Sequence, residues 1–128
     1  MKQVLILLAH GSRDPQWSRP FRRVAALLSR TFIVKVAYLE FMRPTLEEVI
    51  ASLATAGVRS TRVVPVFVGS GRHLKRDLAK KADVLRKRHK GVRITVERAV
   101  GERPRVIEAL AAAIAAGIPS PRGSARRS

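Results

Sequence analysis

Three side chains able to bind metals or carry protons stand at comparable points in the sequence: His10, Glu40 and His73. Each follows a run rich in apolar residues. V-L-I-L-L-A leads into His10, F-I-V-K-V-A-Y-L into Glu40, and V-V-P-V-F-V-G-S-G-R into His73. Two imidazoles and a carboxylate can hold a borderline divalent ion such as cobalt, nickel, zinc or iron and leave positions open for exchange. The same groups can accept protons near neutral pH, which suits general-base chemistry. The chain has no cysteine, so thiolate metal sites and disulfides are excluded. The third histidine, His89, sits among cations at a helix end, where positive charge favours the helix dipole, and reads as a surface residue.

For the three groups to meet, the runs before them must be parallel strands whose carboxyl ends share one edge. A short apolar run closed by a turn signal is the pattern of a strand buried on both faces, and V-L-I-L-L-A before H-G-S-R-D fits it. A helix is predicted over 17–30, with Phe21, Val24, Ala25 and Leu28 at helical spacing, then a strand over 32–40. Pro44 and Thr45 open a second helix, with Leu46, Val49, Ile50 and Leu53 as its stripe and Gly57 as its stop. A strand over 61–68 follows; Pro65 inside it cannot donate to a ladder, which predicts a bulge or altered pairing there. A helix over 73–88 turns Leu74, Leu78, Ala82 and Leu85 inward and seven cations outward. A strand over 92–100 and an alanine-rich helix over 103–116, capped by Gly117, complete the chain.

The order β-α-β-α-β-α-β-α predicts an α/β fold: a four-stranded parallel sheet with helices on both faces, flavodoxin-like or a Rossmann-like half. In such sheets the rim at the strands' carboxyl ends is where ligands bind. Residues 1–118 form one predicted domain, and 119–128, rich in arginine, serine and proline, a disordered tail. No run is long enough to span a bilayer and the N-terminus reads as a strand rather than a signal peptide, so a cytoplasmic protein with no membrane contact is expected. The net charge of +17 implies an anionic partner.

The residues A-H-G-S-R-D, Y-L-E before P-T-L, and V-V-P-V-F-V-G-S-G-R-H-L-K-R-D-L resemble the small cobalt chelatases that act on sirohydrochlorin. These belong with the class II tetrapyrrole chelatases, which include the sirohydrochlorin ferrochelatases. The resemblance runs from about Lys2 to Ala116. It implies a flavodoxin-like fold and insertion of a divalent metal, Co2+ before Fe2+ or Ni2+, into a modified tetrapyrrole, with no prosthetic group. By motif position, His10 and His73 are the implied metal-binding and proton-accepting residues, with Glu40 assisting. It also implies a homodimer with the site near the subunit interface. Where that family commonly has glycine before the loop histidine, this chain has Arg72, a further cation near the site. A carboxylate-rich tetrapyrrole suits a basic rim, and Arg13, Arg43, Arg72 and Lys75, with Ser12 and Ser70, are the expected substrate contacts.

Other function classes fit less well. Histidine phosphatases begin with a similar strand-end His-Gly but carry arginine before the histidine, and here it is Ala9. A nucleic-acid module is suggested by the basic stretch 75–90, yet aromatic residues make up only 5% and none interleave with those cations, so no stacking platform exists. The glycines at 69 and 71 lack the spacing of a nucleotide-binding loop. A non-catalytic divalent-metal carrier would use the same histidines but bind without turnover.

Overall fold

The computed structural model describes residues 3–69 and 71–119. Its strands are β1 (Val4–Ala9), β2 (Ile33–Tyr38), β3 (Ser60–Pro65) and β4 (Arg93–Val96), all parallel, in the order β2-β1-β3-β4. The helices are α1 (Arg19–Leu28), α2 (Leu46–Thr55), α3 (Arg72–Arg88) and α4 (Pro104–Ala116). The predicted α/β architecture is the one observed.

β1 is central because its side chains are apolar on both faces. Val4, Ile6 and Leu8 point into a core with α2 and α3, where Ile50 and Leu85 are almost completely buried. Leu7 and Ala9 are buried on the opposite face, where right-handed crossovers place α1. Thr61, the one fully buried polar side chain among the described residues, donates its hydroxyl to the Val4 carbonyl at 2.8 Å. That bond removes the penalty of burying an unpaired hydroxyl.

Several element ends differ from the pattern-based expectation, each for a local reason. β3 stops at Pro65 rather than running to residue 68. Val66 still donates to the Leu8 carbonyl at 2.8 Å, so alternation turns Pro65 toward β4, which has already ended at Val96 opposite Val63. The missing N–H is therefore harmless, and no bulge is needed. β4 itself is shorter than 92–100 and gives way to a 3-10 turn at Val100–Glu102. As an edge strand it is partly covered by Arg86, whose guanidinium donates twice to the Ile94 carbonyl.

Pro44 does not enter the first turn of α2. Thr45 is the N-cap, in a capping box with Glu48, and Pro44 precedes it. Upstream, the predicted helix over 17–30 divides into a 3-10 turn, Pro15–Ser18, and α1. Asp14 caps that turn through the Gln16 N–H. α4 buries none of its residues, so the second face is covered less completely than the helical patterning implies. Ile107, Leu110 and Ile114 of α4 remain exposed.

Ile50 lies within the core cluster at 0% exposure. Ile50→Ala should cost about 2–5 kcal/mol, read as a lowered urea midpoint at unchanged slope.

Candidate functional site

The site begins where the β1–β2 ladder outlasts the strands. Beyond the last register pair, Ala9 with Tyr38, the Leu39 N–H donates to the Ala9 carbonyl and the Glu40 N–H to the His10 carbonyl, each at 3.0 Å. Backbone pairing thus sets His10 and Glu40 side by side. His10 Nε2 lies 3.2 Å from Glu40 Oε2, with about half of each side chain open to solvent. An imidazole held this way by a carboxylate has one nitrogen committed and Nδ1 left for other work.

Gly11 is required by this approach. Its φ is +103°, and a Cβ there would stand 1.8 Å from the Glu40 carbonyl oxygen. That same oxygen accepts the Met42 N–H at 2.8 Å. The i to i+2 bond closes a γ-turn on Phe41, whose φ is +65°. Positive-φ γ-turns are rare and strained, and a bulky residue in one costs on the order of 1–3 kcal/mol. Phe41 is 58% exposed. The Arg13 guanidinium lies over it, 5.1 Å from the centroid.

The loop is closed at its base. The Tyr38 N–H donates to the Pro44 carbonyl at 2.9 Å, Arg43–Pro44 is cis, and Thr45 starts α2. Arg43 pairs with Glu48 through Nε and Nη2, and the Glu48 carboxylate also takes the Thr45 N–H. Arg43, expected on the substrate side of the rim, is therefore engaged in fastening the loop to α2. These bonds, from Arg43 first and the Thr45 backbone second, hold the Glu48 carboxyl down at about 2 against an ordinary 4.5. Ser12, another expected contact, accepts the Asp14 N–H at 3.1 Å and so shapes the turn that carries Arg13.

The third predicted group is placed differently. His73 is the second residue of α3 and is exposed, beside Arg72 at the helix start. Among the described residues no three metal-ligating side chains form a cluster, so His73 does not join His10 and Glu40 in this structure. The loop before it is anchored early. Gly101 donates to the Phe67 carbonyl at 2.8 Å, and a Cβ on Gly101 would collide with Val68. Gly69 and Gly71 have open space around them; Ser70 lies outside the described residues. Lys75 pairs with Glu102 at 3.5 Å.

A cavity of about 350 Å³ opens between α3 and the end of β4, with Phe67, Leu74, Leu78 and Ala99 among its apolar walls. Neither His10 nor Glu40 lines it. The ion-pair site is thus an open rim rather than an enclosed pocket. Phe41 is the site residue that sequence reasoning missed; its only signal was an aromatic directly after a strand-end carboxylate.

The family model described as CbiX matches residues 4–116. A protein of Sulfurisphaera tokodaii named sirohydrochlorin cobaltochelatase is 33% identical over 107 residues, covering 83% of this chain and 86% of that one. A solved CbiX protein from Marinobacter aquaeolei superposes with a TM-score of 0.79 at 30% identity, over 98% of this chain and 99% of the other. SirB from Bacillus subtilis, solved with Fe3+, has the same fold at a TM-score of 0.76 and 23% identity; the match covers 93% of this chain but 49% of SirB.

Two outcomes are expected. In the wild type the Glu48 carboxyl titrates near 2 by NMR, and in Arg43→Ala it returns toward 4.5. Because the folded-state value is depressed, the contribution of this pairing is complete above about pH 4.5 and is lost as pH falls toward 2. Gly11→Ala should lower the thermal midpoint by several degrees, because neither its φ nor the Glu40 carbonyl can accommodate the methyl.

Proposed function

We infer that this chain, which belongs to the CbiX family, is a sirohydrochlorin chelatase that inserts a divalent metal into a carboxylate-rich tetrapyrrole. The observation that carries the reading to particular residues is the His10–Glu40 pair on the rim of the sheet. Insertion exchanges two pyrrole N–H protons for one M2+, so the site must take up protons while it releases an ion. Glu40 accepts from Nε2–H of His10 and leaves the Nδ1 lone pair to meet the incoming ion or a departing pyrrole proton. The carboxylate balances the positive charge that gathers on the imidazole when it does so. His73, at the start of α3, serves as the second imidazole. The metal is a substrate, with Co2+ favoured by the naming of the relatives and Fe2+ or Ni2+ as competitors.

Basic residues steer the anionic ring to the rim. Arg13 and Arg72 are exposed there, and neither is engaged by a carboxylate in the ion pairs described above. Lys75 can exchange Glu102 for a substrate carboxylate, whereas Arg43 acts mainly by holding the loop.

The active form is a homodimer in which a second copy closes the open rim. Two observations support it. The apolar stripe of α4 lacks burial within the chain, and α4 carries a single arginine and a single glutamate in an otherwise strongly basic protein. Near-neutral apolar faces are where two copies of so cationic a chain can approach.

The reaction is tested by an anaerobic absorbance time course with sirohydrochlorin and Co2+, Fe2+ or Ni2+ in turn. The expected result is a metal-dependent spectral shift above the uncatalysed rate, reduced at least 100-fold in His10→Ala. Stoichiometric metal binding without turnover would instead make the protein a carrier. Sedimentation should give two copies for the wild type and one for Ile114→Glu. A monomeric, fully active wild type would refute the two-copy site.

A further inference from the structure

Phe41 occupies a position that packing does not explain. It sits at the tip of a γ-turn at φ +65°, mostly in solvent, although glycine or asparagine would take that conformation with less strain. The backbone of the turn is nonetheless built in. The Glu40 carbonyl that closes the turn is pinned between the Met42 N–H and the Cα of Gly11, which leaves no room for a methyl. Arg13 approaches from the loop after β1, on a turn shaped by the Ser12 hydroxyl and the Asp14 cap, with its guanidinium 5.1 Å from the ring centroid. Two rigid turns, one from each of the first two strands, therefore converge on an exposed aromatic–guanidinium pair adjoining the ion pair of His10 and Glu40.

We propose that Phe41 and Arg13 form a clamp that sets the plane of the tetrapyrrole over His10 and Glu40, Phe41 by stacking and Arg13 by binding a carboxylate arm. The inference rests on the chelatase reading and adds to it the element that orients the substrate. A flat conjugated ring with carboxylate arms presents the two features such a pair can recognise. An exposed aromatic offers a π face. A guanidinium lying over an aromatic keeps its charge and its in-plane N–H donors for a carboxylate. Because Phe41 is the residue after Glu40, a ring stacked on it is held next to the group that serves the proton transfer. Phe41 is a substrate-contacting residue in this account, not a proton carrier. Its loss should weaken binding and misalign the ring without removing the base.

The test is a set of variants that separates the ring from the backbone. Phe41→Gly removes the ring and relieves the positive φ, Phe41→Leu keeps apolar bulk without a π face, and Phe41→Trp keeps a π face. Binding of metal-free sirohydrochlorin is followed by its absorbance, beside thermal melts and the metallation rate. The expected result is affinity reduced on the order of tenfold in Phe41→Gly and Phe41→Leu and retained in Phe41→Trp, with Phe41→Gly melting no lower than the wild type. KM for the tetrapyrrole should rise while the response to metal concentration is unchanged. Wild-type affinity in both Phe41→Gly and Phe41→Leu overturns the clamp. So does a fall in affinity that only follows a fall in melting temperature, since the ring would then be a structural brace. A wild type that neither binds nor metallates sirohydrochlorin would instead sink the chelatase reading itself.

Discussion

Parallel pairing of β1 with β2, continued past the end of both strands, is the constraint on which the site depends. Two further backbone bonds, from Leu39 to Ala9 and from Glu40 to His10, bring an imidazole and a carboxylate within 3.2 Å without either side chain being buried. The cost of that close approach falls on neighbouring backbone. Gly11 must lack a side chain, and Phe41 must take a positive φ. Strain of this kind persists only where surrounding structure over-determines it, and here the Tyr38 to Pro44 backbone bond, the Thr45 cap and the Arg43–Glu48 pair all tie the far end of the loop to α2. The most buried part of the molecule, β1 with α2, therefore supports its most exposed chemistry.

The charge of the chain divides by role. Some cations are structural: Arg86 covers the β4 edge, Arg62 and Arg103 share Glu97, and Arg43 holds its loop. With only nine acidic residues in the chain, many cations must lack such a partner and face solvent. Exposed pairs add little to stability, so the excess is better understood as a field that attracts anions than as a device for holding the fold.

Much of this was legible in the sequence, and the reasons are specific. β1 announced itself because a strand apolar on both faces has no other easy home, and α2 because its apolar stripe and Gly57 stood out, although Pro44 was read into its first turn and the Thr45–Glu48 capping box went unread. Strand ends were less legible: whether Pro65 disrupts β3 depends on where β4 stops, which is a tertiary fact. The alanine-rich pattern of α4 showed an apolar face but not that the chain leaves it unburied. At the site, residue types at strand ends pointed to His10 and Glu40, which the structure places side by side. Phe41 escaped notice because its significance lies in a backbone angle, and Arg43 was read as a substrate contact because its pairing with Glu48 depends on how the loop before α2 folds. His73 stood out by type, but its distance from the other two depends on a loop whose anchoring by Gly101 comes from the far end of the chain.

The central claim is that His10 and Glu40 act as one unit in metal insertion. A double-mutant cycle on single-turnover rates with saturating sirohydrochlorin and Co2+ tests it most directly, using His10→Ala, Glu40→Gln and the double variant. A shared function predicts that the double variant is scarcely slower than His10→Ala alone, because removing the imidazole already removes what the carboxylate supports. Rate losses that multiply independently, or a His10→Ala enzyme as fast as the wild type, would contradict it.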